Sequence, residues 1–205
     1  MNEIEFAALL VSRVCHDLVS PVGAVVNGLE VLEDERDATM RADALKLVTS
    51  SAAMAAARLQ FARIAFGAAG SAGAELDLTE VGRMVRGLMV GSKVEVDWQA
   101  ASANWPKDWA KLLMNATLLA VDSLPRGGKV RVDTSQDPST PSFKIVATGP
   151  SARVLDEVEK ALHGEPSGPI DGRSIQPYLT HKLARSINAG LTLATREGVI
   201  ELVAG

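Results

Sequence analysis

Cys15-His16-Asp17-Leu18-Val19-Ser20-Pro21 is the stretch that decides how this chain is read. Around it, Leu10, Val14, Leu18, Val25, Leu29 and Leu32 recur mostly at the three-, four- and seven-residue steps of one stripe on an amphipathic helix. At about 100° per residue, Val14 and Leu18 point within about 40° of each other, and His16 points roughly 180° from the middle of that pair. The imidazole therefore faces outward beside an acid, on a helix whose other side needs burying. An exposed imidazole has two uses that depend on its ring: metal binding, and nucleophilic or acid–base chemistry. Cys15 is adjacent, but no second His, Cys or acid pattern nearby closes a metal site. A lone surface histidine is ordinarily just solvated. Pro21 shifts that balance, because a proline inside a helical pattern removes a backbone hydrogen bond and crowds the preceding turn, at a cost of about 3 kcal/mol. The sequence predicts a helix bent just beyond His16.

Length and composition frame the rest. The chain has 205 residues, 47% hydrophobic and 22% charged, enough for one large or two small soluble domains. Its net charge of −4 argues against a nucleic-acid partner, whose binding surface would be basic. A single cysteine excludes an intramolecular disulfide and suits a reducing cytoplasm. The start, Met1-Asn2-Glu3-Ile4-Glu5, is acidic where a signal peptide would be basic. Uninterrupted apolar runs fall short of the roughly 18–20 residues of a membrane span, so no membrane association is expected.

Residues 1–68 read as two helices, about Glu3–Glu33 and Thr39–Phe66, joined by the charged turn Glu33-Asp34-Glu35-Arg36-Asp37. The second is alanine-rich, with Leu45, Val48, Ala52, Ala55, Leu59, Ala62 and Phe66 as its stripe. Gly67, Gly70 and Gly73, with Ser71 between them, end it and form a linker. Two such helices make an antiparallel hairpin that cannot bury both apolar stripes alone. A two-fold homodimer, giving a four-helix bundle, is the simplest completion.

Residues 75–205 alternate in type. Helices are expected at Leu78–Met89, Trp105–Leu124 with Pro106 at its start, Val154–Leu162 and Ile175–Asn188. Strands are expected at Lys93–Trp98, Gly128–Asp133, Ser142–Ala147, Leu191–Thr195 and Val199–Val203, with a loop over Gly164–Arg173. The fold class is therefore α plus α/β: a helical hairpin followed by an α/β sandwich of a mixed sheet with helices on one face.

The stretch from His16 to Pro21 resembles the H-box of sensor histidine kinases, in which a phosphoacceptor His is followed by an acid and, five positions after the His, by a proline. His16, Asp17 and Pro21 match those positions. The box lies close to residue 1, so no input domain is expected within the chain. The second part is similar to the ATP-binding domain of the same kinases. Leu112-Leu113-Met114-Asn115-Ala116, followed by Leu124-Pro125-Arg126-Gly127-Gly128-Lys129-Val130, resembles the N-box helix and next strand. Leu183-Ala184-Arg185-Ser186-Ile187-Asn188-Ala189-Gly190 resembles the last helix and its glycine turn.

The departures are as informative. Where such kinases carry Asp-x-Gly-x-Gly for the adenine, this chain reads Ala147-Thr148-Gly149-Pro150-Ser151-Ala152. The acid is gone and Pro150 removes a backbone donor. The second glycine box and lid shrink to Gly164-Glu165-Pro166-Ser167-Gly168-Pro169. Asn115 remains, either a relic of Mg-nucleotide binding or an amide at the edge of the core. An acceptor histidine beside a degenerate ATP site resembles the dimeric histidine phosphotransferases of the ChpT type. That resemblance implies a phosphoryl relay between receiver domains in a bacterial two-component system of cell-cycle type. It implies as partners the receiver of a hybrid kinase and CtrA- and CpdR-like response regulators. No bound cofactor or metal of its own is expected, the receiver supplying Mg²⁺.

On this reading His16 is the phosphoacceptor nucleophile, and Asp17 orients its ring, takes its proton or is merely solvated. Arg13, one turn earlier, steadies phosphoryl oxygens or is a surface charge. Ser20 stands near His16. Val19, Val22 and Gly23, with Pro21 among them, lie where a receiver helix would pack, core membership being the competing reading for both valines. Two other classes remain open: an active kinase with a divergent ATP site, and a non-catalytic scaffold that binds kinases.

Overall fold

Two long helices are built by their caps and held by one close crossing. In this computed structural model, which describes residues 1–67 and 73–205, α1 spans Glu3–Asp34 and α2 spans Ala38–Ala65. Asn2 and Glu5 form a reciprocal capping box at the start of α1, with bonds of 2.8 and 2.9 Å. Asp37 caps α2 through the amides of Thr39 and Met40. The buried residues of α1 are Pro21 and Gly28. A Cβ at Gly28 would lie 2.6 Å from Val48 and 3.3 Å from the Ala44 carbonyl, so only glycine permits this approach. The helix runs unbroken through Pro21. The linker positions Gly70 and Ser71, and residue 68 at the expected domain edge, lie outside the described residues.

The α2 stripe read from sequence is displaced. Leu45 and Leu59 are exposed, and the buried positions are Ala44, Ser51, Phe61 and Ala65. Contrary to the run-length reading, α1 is long and apolar enough overall to cross a membrane. Its apolar residues are interrupted by Arg13 and Asp17, which are ion-paired, and its buried residues pack on α2.

A two-stranded ribbon opens the second part: β1, Glu75–Asp77, pairs antiparallel with β3, Asn104–Pro106. The main sheet comprises β2, Val94–Gln99; β4, Gly128–Thr134; β5, Phe143–Thr148; β6, Thr192–Arg196; and β7, Val199–Ala204. Its order is β2-β4-β5-β7-β6, parallel between β2 and β4 and antiparallel elsewhere. The helices are α3, Leu78–Leu88; α4, Lys107–Asp122; α5, Asp156–Leu162; and α6, Ile175–Ser186. Trp105 is not helical, as the sequence suggested, but a fully buried strand residue, and Pro106 is the N-cap of α4.

Period-two alternation decides the faces of the sheet. Val130, Val132, Phe143, Ile145, Ala147, Ile200, Leu202 and Ala204 point into the core. Lys129, Arg131, Lys144 and Glu201 lie on the opposite face, where Lys129 pairs with Asp97 and Lys144 with Glu201. Helices therefore cover one face only. The hairpin is not separate from this core: Phe61 and Ala65, in the last turns of α2, are buried within it.

Candidate functional site

His16 stands on the outer side of α1 with 86% of its side chain exposed. Its Nδ1 lies 3.5 Å from Asp17 Oδ1. The other oxygen of Asp17 accepts from Arg13 Nε at 3.1 Å, one turn back along the helix. Arg13 extends across to the α/β part, where it pairs with Asp122 at 3.4 Å and reaches the Gly172 carbonyl at 3.5 Å. A polar chain thus runs His16–Asp17–Arg13–Asp122, from the exposed ring to the end of α4. Burial opposes the Arg13 charge, but the two carboxylates outweigh it and hold the guanidinium above its ordinary value. Asp122 keeps 50% of its side-chain area exposed, yet it sits in a recess walled by protein. That burial pushes its carboxyl up, against the pull of Arg13.

Pro21 has a structural consequence one turn away. Lacking an N–H, it leaves the Asp17 carbonyl without its helical donor. The Arg58 guanidinium, on α2, donates to that carbonyl. The gap in the backbone ladder beside His16 is closed from the partner helix. Sequence reading passed over Arg58, although it is the sole charged residue between Lys46 and Arg63 in an otherwise small and apolar stretch. Arg58→Met should lower stability by about 1.5 kcal/mol, the low end for a hydrogen bond to a charged group, because the site is only partly buried. Urea denaturation with an unchanged midpoint would contradict this.

The other expected site residues divide by direction. At about 100° per residue, Ser20 and Gly23 lie within about 40° of His16 and Val19 within about 60°. Val19 is 70% exposed and Ser20 is exposed. Val22 is exposed too, but it falls in line with Val11 and Leu29 on a different stripe. Pro21 is buried. Arg13 is engaged on both sides by carboxylates, its side chain 19% exposed.

The segments whose sequence resembles a nucleotide site contribute to the core. Asn115 is fully buried; its Nδ2 donates to the carbonyls of Ala65 and Lys111, and its Oδ1 accepts from Gln176 Nε2 at 3.0 Å. It joins α2, α4 and α6 and has no oxygen left facing a metal. Ala147 is fully buried on β5. Among the described residues no group of His, Cys, Asp or Glu side chains is arranged to hold a metal ion.

Residues 78–199 match the family model of the histidine phosphotransferase C-terminal domain. The chain belongs to the histidine phosphotransferase family. It is 40% identical over 202 residues to the protein phosphotransferase ChpT of Brucella abortus (strain 2308), which covers 98% of this chain and 95% of that protein. A solved bacterial phosphotransferase superposes on it with a TM-score of 0.90 at 37% identity, covering 100% of this chain and 98% of the other. This histidine phosphotransferase thus carries its exposed imidazole on one part of the chain and its family signature on the other.

Proposed function

We propose that this phosphotransferase relays a phosphoryl group between receiver domains through His16. The observation that carries the reading is an exposed imidazole beside an acid on a bundle helix, in a chain whose N-box-like amide, Asn115, is committed to the core. With the Nδ1 hydrogen turned toward Asp17, Nε2 presents its lone pair to solvent. Nε2 attacks the phosphorus of a receiver's aspartyl phosphate; the N–P bond forms as the P–O bond to the aspartate breaks, and the carboxylate leaves. The Nδ1 proton passes to Asp17 or water. The reverse sequence delivers the group to a second receiver. The transition state is loose and asks for positioning and charge neutralisation more than covalent assistance, which the receiver's Mg²⁺ supplies. The partners are the receiver of a hybrid kinase and response regulators of the CtrA and CpdR kinds, in the cytoplasm, within a cell-cycle phosphorelay.

The test uses two labels. A phosphorylated receiver should label the wild-type protein within its own lifetime, whereas labelled ATP with Mg²⁺ should leave it blank. Autophosphorylation from ATP would restore the kinase reading, and failure with every receiver in a panel would favour a non-catalytic scaffold.

The active unit is a homodimer. Val11, Val22, Val26 and Leu29 on α1 and Leu45 and Leu59 on α2 are all exposed in the single chain. Such an apolar patch on a two-helix hairpin calls for a partner surface, and a second copy completes a four-helix bundle. Sedimentation at micromolar concentration should show a dimer, and Leu29→Glu with Leu45→Glu should shift it to monomer. A folded wild-type monomer at that concentration would contradict the arrangement.

A further inference from the structure

Between α4, α5, α6 and the sheet lies a cavity of about 190 Å³. Leu119, Val158, Leu162, Leu193, Ile200 and Leu202 line its interior. The two positions whose sequence resembles a nucleotide site do not line it: Ala147 is buried on β5, and Asn115 is spent on internal hydrogen bonds. The cavity walls are mostly apolar, with the buried Ser123 and Gln176 among them. For scale, a cavity of about 150 Å³ with similar walls accepts benzene, so the space suits one ring or a short alkyl chain.

The mouth is of opposite character. Arg153 and Arg173 stand there beside Asp122, both exposed; neither guanidinium makes a hydrogen bond or contact ion pair among the described residues, and Arg173 acts on the Asp171 carboxylate at longer range. The third arginine at the mouth, Arg13, is paired with Asp122 at 3.4 Å. Two guanidinium groups free of contact ion pairs, over a mostly apolar cavity, match a ligand with an anionic head and a small apolar body.

We infer that this cavity is a binding site for small organic monoanions, carboxylates with an aromatic or short aliphatic body, and that its occupancy is read at His16. The coupling path is already present. An anion at the mouth competes with Asp122 for Arg13, and Arg13 holds Asp17 at 3.1 Å, whose other oxygen faces His16. Drawing Arg13 toward the ligand loosens its hold on Asp17 and so changes the surroundings of the ring. This second half rests on His16 being the phosphoacceptor; the first half does not.

The experiment uses the full-length protein and phenylacetate as probe, with phenylacetamide as its uncharged counterpart. Titration followed by methyl NMR should give saturable shifts at Leu193 and Leu202, with phenylacetamide at least tenfold weaker. Arg153→Ala with Arg173→Ala should weaken phenylacetate about tenfold. Leu193→Trp should fill the cavity and abolish the shifts at Leu202; if that variant does not fold, Val158→Phe serves the same purpose. Saturating phenylacetate should change the rate of label transfer to His16 at least twofold in the wild type and not in the filled variant. Absence of saturable shifts, equal binding of the amide, or binding that survives in the filled variant would overturn the site. Displacement of phenylacetate by Mg-ATP would overturn it too, as a nucleotide pocket. Saturable binding with an unchanged transfer rate, in a protein that is labelled on His16, would overturn the coupling. A protein that binds phenylacetate but takes no label from any receiver would instead count against the relay reading.

Discussion

His16→Ala is expected to abolish phosphoryl acceptance while leaving the fold and dimerisation intact. The side chain is 86% exposed, and its one polar contact among the described residues is the 3.5 Å approach to its neighbour Asp17. Surface changes of this kind usually alter stability by less than about 0.5 kcal/mol, so loss of function would not follow from loss of structure. The remaining histidines cannot take over. His163, though exposed, lies at the C-cap of the short helix α5 and is followed by Gly164, without the adjoining acid that His16 has in Asp17. His181 is partly buried, its Nδ1 held 3.0 Å from the Leu162 carbonyl and its ring stacked on Tyr178. The measurement is acid-labile phosphate on wild type and variant after mixing with a phosphorylated receiver. Equal labelling of the two would remove His16 from the mechanism.

The second large effect is expected far from that ring, at Asn115. Asn115→Ala should cost about 3 kcal/mol, because it leaves the Ala65 carbonyl without its Asn115 donor in a dry interior and removes the Oδ1 bond to Gln176, whose Nε2 keeps the Asn115 backbone carbonyl and the Thr180 hydroxyl. For a protein of this size that is a fall in Tm of roughly 6–12 °C. The readout separates two roles. If Asn115 served a metal-bound nucleotide, its loss would reduce ligand binding and spare the apo protein. As a joint between α2, α4 and α6, it should destabilise the apo protein directly, and calorimetric melting of wild type and variant without ligand decides between them. A variant melting within about 1 °C of wild type would refute the joint.

Much of the fold was legible because its signals are local. Caps at Asn2 and Asp37, the stripe of α1, and alternating strands such as Lys129 to Asp133 each specify an element without help from distant residues. The α2 face was misread because alanine carries little directional information: with so many small residues, several stripes fit equally well. The choice among them falls to tertiary packing at Ala44, Ser51 and Phe61. Trp105 was assigned to the helix it precedes because the ribbon of β1 and β3 is three residues long on each side and its pairing is non-local. At the candidate site, His16 and Asp17 could be singled out because both lie in one contiguous motif. Arg58 and Asp122 meet that motif only after folding, across 41 and 109 residues of sequence, and no local pattern announces such contacts.

The burial of Phe61 and Ala65 inside the α/β core bears on kinetics. A protein that loads its own nucleophile must let the loading part travel to it and retreat. Here the end of α2 belongs to the core of the second part, so parting the two would mean opening that core. On the proposed relay, the approach to His16 is therefore left to the incoming receiver. Turnover should then scale with collision frequency and with the charge and shape of that visitor, as a bimolecular event, and not with an internal rearrangement of this chain.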